Sequence, residues 1–218
     1  MKFSQDQVLK TFENTGVMHV IPQADPEAVK EILDALYSAG VRVFELHHRE
    51  GNFMDIFEKI KFHAQQYSDL LLGAGSIFSD EDAKKILGVG ADFIVSPAFI
   101  PTVGVYCNSK QVLWIPGCGT LTEVYNAVEL GAQLIRVFPA HVMGPSFITA
   151  VKEIFPQIRL IFSGELEPSE RNLATWFGAG VTCIETITQK FPMRRGIDPG
   201  RQEQIVQVLN LIKKIKQS

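Results

Sequence analysis

The feature that most constrains this chain is a recurring unit in which a helical segment closes on glycine and runs at once into a short apolar stretch. It is seen as Ser38-Ala39-Gly40-Val41-Arg42-Val43, as Val89-Gly90-Ala91-Asp92-Phe93, as Leu130-Gly131-Ala132-Gln133-Leu134 and as Ala179-Gly180-Val181-Thr182-Cys183. The residue just past a helix end commonly needs φ > 0, which glycine adopts without penalty. Periodicity extends the pattern to candidate strands at 17–22, 41–48, 70–76, 93–97, 112–116, 134–138, 159–163 and 181–186. Each is short and apolar, as parallel strands covered on both faces should be. Between them lie segments with helical spacing, such as Val29, Ile32, Leu33, Leu36 and Tyr37, or Leu173, Trp176 and Phe177. Capping signals open two of these helices, Ser79-Asp80-Glu81-Asp82 and Thr120-Leu121-Thr122-Glu123.

Strict alternation of strand and helix allows a closed barrel or an open doubly wound sheet. Eight units in 218 residues, polar residues at most strand ends and no G-x-G-x-x-G after the first strand favour an α/β fold of the (β/α)8 TIM-barrel type. The whole chain, 1–218, then reads as one domain: residues 1–16 form an extra N-terminal helix that plugs the barrel bottom or packs on its side, and 17–218 form the barrel.

Composition removes several function classes. A net charge of −3 with both signs spread evenly leaves no basic footprint, so no nucleic-acid partner is expected. No apolar run approaches the roughly 20 residues that cross a bilayer, so no membrane partner is expected either. The N-terminus lacks the apolar core of a signal peptide, and the expected location is the cytoplasm. Three cysteines without a C-x-x-C pair argue against both a disulfide framework and a structural zinc, and read as small buried hydrophobes. Trp114 and Trp176 read as core, and Lys213, Lys214 and Lys216 as the solvated C-terminal turn of a last helix.

In a barrel of this kind the active site lies at the C-terminal ends of the strands, so polar residues there are candidates by position. Alternation selects those that point inward. Glu45, His47 and Arg49 share one face of the second strand and His48 takes the other. Arg136 and Phe138 pair on the sixth strand, Ser163 and Glu165 on the seventh, and Cys183 and Glu185 on the eighth. Ser76, Ser96 and Thr120 lie at or near other strand ends. A buried ion-pair cluster that merely fills the barrel top is the plainer alternative, but burying charge is costly where Val, Ile and Leu would serve. Converging charges therefore mark a binding site.

These residues resemble the 2-keto-3-deoxy-6-phosphogluconate and 4-hydroxy-2-oxoglutarate aldolase family along nearly the whole chain. The carriers are Val41-Arg42-Val43-Phe44-Glu45 followed by Arg49, Gly73-Ala74-Gly75-Ser76, Phe93-Ile94-Val95-Ser96-Pro97, Ile115-Pro116-Gly117 with Thr122-Glu123, and Phe138-Pro139-Ala140. The resemblance implies a class I aldehyde-lyase that uses no cofactor or metal, releases pyruvate from a small 2-oxo acid and assembles as a homotrimer. In such enzymes a lysine on the sixth strand forms a Schiff base with the keto group. By the same resemblance Glu45 matches the proton-shuttling glutamate, and Arg49 with Ser76 matches the clamp on the substrate carboxylate. Pro97, Phe138, Ser163, Glu165 and Glu185 would line the substrate site.

Two positions depart from the pattern. The family's lysine, two residues before Phe-Pro-Ala, is Arg136 here, and a guanidinium has no free amine lone pair with which to attack a carbonyl. Lys30, Lys59, Lys61, Lys84, Lys85 and Lys152 fall in helices outside the barrel, leaving Lys190 as the lysine nearest the mouth. The glycine-rich turns that hold phosphate after the seventh and eighth strands are Ser163-Gly164-Glu165-Leu166 and Ile184-Glu185-Thr186 here. Two carboxylates facing the site, each repelling a like charge by roughly 4 kcal/mol at ~4 Å, would reject a phosphorylated substrate.

Three readings follow. The first is an aldehyde-lyase with altered chemistry acting on an unphosphorylated 2-oxo acid, and the second a catalytically silent paralogue that binds such a ligand. The third is a divalent metal on Glu45, His47, Glu165 and Glu185, which Arg49 and Arg136 would oppose. His141 reads as a residue at the barrel mouth and Arg194-Arg195 as a solvated turn.

Overall fold

The computed structural model describes residues 2–22, 25–47, 51–187 and 199–217. Eight parallel strands close on themselves in sequence order, β1 (Val17–Ile21), β2 (Val43–His47), β3 (Leu71–Gly75), β4 (Phe93–Ser96), β5 (Leu113–Cys118), β6 (Leu134–Val137), β7 (Arg159–Phe162) and β8 (Cys183–Ile187). β8 pairs back onto β1 with Met18 opposite Glu185, so no sheet edge is left open. The expected (β/α)8 barrel is the fold. Around it run α1 (Gln5–Thr15), α2 (Pro26–Ser38), α3 (Phe53–Ala64), α4 (Asp80–Gly88), α5 (Pro101–Ser109), α6 (Leu121–Glu129), α7 (Ala140–Met143), α8 (Pro145–Ile154), α9 (Glu170–Ala179) and α10 (Pro199–Gln217).

The recurring glycine does what its position requires. Gly40, Gly90, Gly131 and Gly180 have φ of 108°, 90°, 87° and 114°, turning each helix end into the next strand. Ser79 and Thr120 cap α4 and α6 by accepting the N–H of Asp82 and Glu123. Most observed strands are a residue or two shorter than the apolar runs that announced them, because pairing stops before apolar burial does.

Two apolar layers hold the barrel. Inside it, Met18, Val20, Val43, Leu71, Phe93, Val95, Leu113, Ile115, Leu134, Ile161 and Cys183 pack together with Val8, Leu9 and Phe12 of α1. The leading helix therefore plugs the barrel bottom, with the Phe12 ring edge-on to Phe93 at 5.2 Å between centroids. The outer layer lies between strands and helices and contains Trp114 and Trp176. Cys107, Cys118 and Cys183 are free and buried. Lys214 pairs with Glu170 at 2.8 Å, and Lys216 donates to the Thr182 carbonyl at 3.1 Å, so the basic end of α10 is tied to the barrel as well as solvated. Among the described residues no helix is long and apolar enough to cross a membrane.

Candidate active site

With the barrel bottom filled by α1, the inward positions at the opposite end of the strands are left for polar groups. On β2, Glu45 stands opposite Val20 of β1 and Gly73 of β3, with its side chain fully buried at 0% exposure. The glycine two residues further along β3 makes the space for it: a Cβ on Gly75 would lie 1.7 Å from Glu45 Oε1. On β6, Arg136 lies opposite Gly117 and Ile161 and is 7% exposed. Its Nε donates to Ser163 Oγ at 3.0 Å, its Nη2 is 2.6 Å from Glu185 Oε2 and its Nη1 is 3.6 Å from Glu45 Oε1. His47, two residues beyond Glu45 on the same face, brings Nε2 to 2.9 Å from Glu45 Oε1.

Arg136, Ser163, Glu185 and His47 border a cavity of about 240 Å³ that is also lined by Ser76, Pro97, Phe138, Gly164 and Ile187. Ser76 holds φ of +62°, an uncommon conformation for a residue with a side chain, of the kind that concentrates at functional sites. A wider groove of about 870 Å³ on the outer flank of α3 is lined by Lys30, Asp55, Lys59 and His63 among others. Its charges are solvated and locally paired, as in Lys59 with Asp55 at 2.8 Å, so it lacks the converging buried groups of the barrel mouth.

The electrostatics are those of one cation shared by two acids. Burial alone would push Glu45 up, but Arg136 and His47 more than offset this and hold its carboxyl below the usual carboxylate value. Glu185 goes the other way: burial and the negative charge of Glu45 push it up, despite the attraction of Arg136. The shorter ion pair thus belongs to the weaker acid. Glu45 differs from Glu185 in having His47 as a second partner at 2.9 Å. Burial disfavours the charge on Arg136, yet the two carboxylates raise it further above its ordinary value, so it stays a cation. Several polar atoms here have no aligned hydrogen-bond partner, namely both oxygens of Glu45 and of Glu185 and Nε2 of His47. Their contacts are close in distance and loose in angle. Unsatisfied buried acceptors of this kind ask for a ligand group or a proton.

Of the residues singled out in the sequence, the structure brings Ser76, Pro97, Arg136, Phe138, Ser163 and Glu185 onto one cavity, with Glu45 directly beneath. Phe138 is 51% exposed at the rim. Arg49, His48, Lys190, Arg194 and Arg195 lie outside the described residues. Glu165 is a correction. It was expected to share the inward face with Ser163, but β7 ends at Phe162 and Gly164, at φ of 148°, breaks the alternation. The Glu165 backbone N–H donates to His141 Nδ1 at 3.2 Å, and its exposed side chain is absent from the cavity lining. One carboxylate therefore faces the ligand space where two were expected, and four metal ligands cannot converge. Ser96 accepts the Trp114 indole N–H at 3.0 Å in the outer layer, and Thr120 caps α6, so neither reaches the cavity. Lys30, Lys59, Lys61, Lys84, Lys85 and Lys152 all lie on outer helices. The contact of His47 with Glu45 is the element sequence reading missed: alternation places His47 inward but says nothing of which atom it meets.

Comparison with known proteins agrees with this arrangement. The family model described as KDPG and KHG aldolase matches residues 8–189. The chain belongs to that family. The 2-dehydro-3-deoxy-phosphogluconate aldolase of Treponema pallidum (strain Nichols) is 31% identical over 161 residues, covering 72% of this chain and 75% of the relative. The 2-dehydro-3-deoxy-6-phosphogalactonate aldolase of Escherichia coli (strain K12) is 34% identical over 111 residues, 50% of this chain and 53% of that one. A solved structure described as native KDPGal superposes with a TM-score of 0.77 at 24% identity, covering 92% and 94% of the two chains. The KDPG aldolase of Legionella pneumophila, solved with pyruvate captured as a covalent carbinolamine, gives 0.74 at 20%, covering 94% and 96%. At those identities the two structures speak for the fold. In the present chain a guanidinium, that of Arg136, stands between Glu45 and Glu185.

Proposed function

We propose that this family member cleaves a small unphosphorylated 4-hydroxy-2-oxo acid to pyruvate and an aldehyde without forming a Schiff base. The observation that carries the reading is the place of Arg136, fixed on three sides at a cavity with no lysine among its described lining residues. The 4-hydroxyl gives up its proton, the C3–C4 bond breaks to release the aldehyde, and the electron pair moves into an enolate whose charge settles on the C2 oxygen. The positive charge of Arg136 on the cavity lining would stabilise that developing oxyanion from a fixed position. Returning a proton to C3 yields pyruvate. Ser76 on the cavity wall, together with Arg49 by its match to the family clamp, would take the substrate carboxylate.

Size and charge support a small, unphosphorylated ligand. A cavity of about 240 Å³ falls below the ~300 Å³ at which drug-sized ligands begin to fit. Glu185 occupies its wall where a phosphate-binding glycine would stand. Three free, buried thiols accord with action in the cytoplasm, and the exposed apolar side chains of Phe138 and Val142 near the barrel mouth accord with a homotrimer, which light scattering in solution would test.

The function is tested by following pyruvate release from a panel of unphosphorylated 4-hydroxy-2-oxo acids, with a parallel incubation with pyruvate and borohydride. The expected result is pyruvate release and no reduced adduct on the protein. An adduct would restore the Schiff-base route through a lysine such as Lys190. The complete burial of Glu45 favours a second reading, a silent paralogue in which Arg136 and Glu45 close the inherited site. Binding of 2-oxo acids without turnover across the panel would establish it.

A further inference from the structure

Glu45 is matched to proton transfer, yet it is fully buried and does not line the cavity. A proton leaving a ligand needs a group that reaches both places. His47 is that group. It lines the cavity with a side chain 20% exposed, while its Nε2 is buried against Glu45 Oε1 at 2.9 Å. From these positions we infer that His47 is the acid–base residue of the site and Glu45 its buried positioning partner, a dyad that relays the proton the family resemblance assigns to Glu45 alone. The inference rests on the enolate reading above for its substrate and on the structure for its pairing.

The arrangement is the one by which a buried carboxylate orients a histidine. An acceptor at Nε2 fixes the proton on that nitrogen, leaves the Nδ1 lone pair for the ligand, and stabilises the imidazolium formed when Nδ1 takes a proton. The angle at Nε2 is loose, as is common in catalytic pairs until substrate tightens them. The charged groups around the ring fit the role: Glu45 on its own strand, and Arg136 and Glu185 across the barrel, which hold each other at 2.6 Å. In the forward step Nδ1 accepts the 4-hydroxyl proton as C3–C4 breaks. In the return step the imidazolium gives that proton to C3 of the enolate, so the site ends in its starting state. Gly75 is part of the device, because any larger residue there would push the Glu45 carboxylate out of reach of His47.

Two measurements test the pairing and the chemistry separately. Nitrogen-15 NMR of the imidazole rings in the wild-type protein, with His47→Gln to assign the signal, reads which nitrogen carries the proton when the ring is neutral. The Nε2–H form is expected, and the Nδ1–H form overturns the dyad whether or not the protein turns over any substrate. Exchange of the methyl protons of pyruvate for deuterium from solvent then reads enolate formation alone. His47→Ala should lower its maximal rate by about 100-fold or more with KM changed less than twofold, and added imidazole should restore much of the loss. A His47→Ala protein that exchanges as the wild type does overturns the catalytic role while leaving the enolate reading intact. Absence of exchange in the wild type removes the enolate reading and with it the role of His47 in turnover, and the NMR result then decides the pairing by itself.

Discussion

A lysine placed at position 136 should not by itself support Schiff-base chemistry. In Arg136→Lys an ammonium would replace a guanidinium that now lies 2.6 Å from Glu185 and 3.6 Å from Glu45. Imine formation needs the neutral amine, so whatever stabilises the ammonium slows the reaction in proportion. One ionised carboxylate at ~4 Å in an effective dielectric near 20 stabilises a unit positive charge by about 4 kcal/mol. At about 1.4 kcal/mol per tenfold, that is roughly a thousandfold smaller neutral fraction. Burial of the new amine acts in the opposite direction, but it acts equally in Arg136→Lys and in Arg136→Lys/Glu185→Gln, so it cancels between them. The assay is trapping with pyruvate and borohydride, read as intact mass over time. The double variant should accumulate the reduced pyruvate adduct about 100-fold or more faster than the single one, and the wild type should accumulate none. Equal rates for the two variants would refute the reasoning, because they would mean that Glu185 carries no charge the amine can feel.

Glu185→Gln alone should change the pH dependence of stability, with a sign that the burial of Glu185 fixes. Its folded-state pKa is raised above the ordinary 4.5, so the wild type gains stability below that value and loses it as pH rises through the folded value. Melting temperatures of Glu185→Gln relative to wild type should therefore climb from acid toward neutral pH; a flat difference would count against a raised Glu185. Gly75→Ala should cost about 1–3 kcal/mol in a denaturant titration, since its Cβ meets a carboxylate that can swing away, while pyruvate exchange falls far more. Phe12→Ala removes the ring that closes the barrel bottom and should cost about 3–5 kcal/mol by the same titration.

The fold was legible because its signals are local and repeated. A glycine needed for φ > 0 at four helix ends, short apolar runs between them and two capping sequences are each readable within a few residues, and the barrel is the arrangement that satisfies them all. The convergence of Glu45, Arg136, Ser163 and Glu185 was legible for the same reason, since alternation along a strand decides which way each side chain points. Alternation fails where the strand ends. Glu165 sits two residues past Phe162 and beyond a glycine with positive φ, so its direction is set by a turn, and the expectation built on period two was wrong there. The role of Gly75 is invisible for a different reason: its neighbour, the Glu45 carboxylate, comes from another strand, and no local pattern records who approaches a missing Cβ.

Arg136 and Glu185 are best understood as one unit rather than two separate groups. Without Arg136, Glu185 on β8 would put a second buried carboxylate beside Glu45, and like charges at such distances cannot both ionise cheaply. A lone arginine would have the long reach of its guanidinium satisfied by Ser163 and Glu45 only, with Nη2 left without the 2.6 Å partner it now has. Together they form a unit in which one cation is shared by two carboxylates, 2.6 Å from Glu185 and 3.6 Å from Glu45. This makes a prediction about order that either residue alone would not. Substituting Glu185 by Gln in the background of Arg136 should cost less stability than substituting Arg136 by Met in the background of Glu185, because the first leaves a cation still paired with Glu45 and the second leaves two acids facing each other without a cation. A double-mutant cycle on unfolding free energy measures the coupling directly, and additive costs would show that the two residues do not act as a unit.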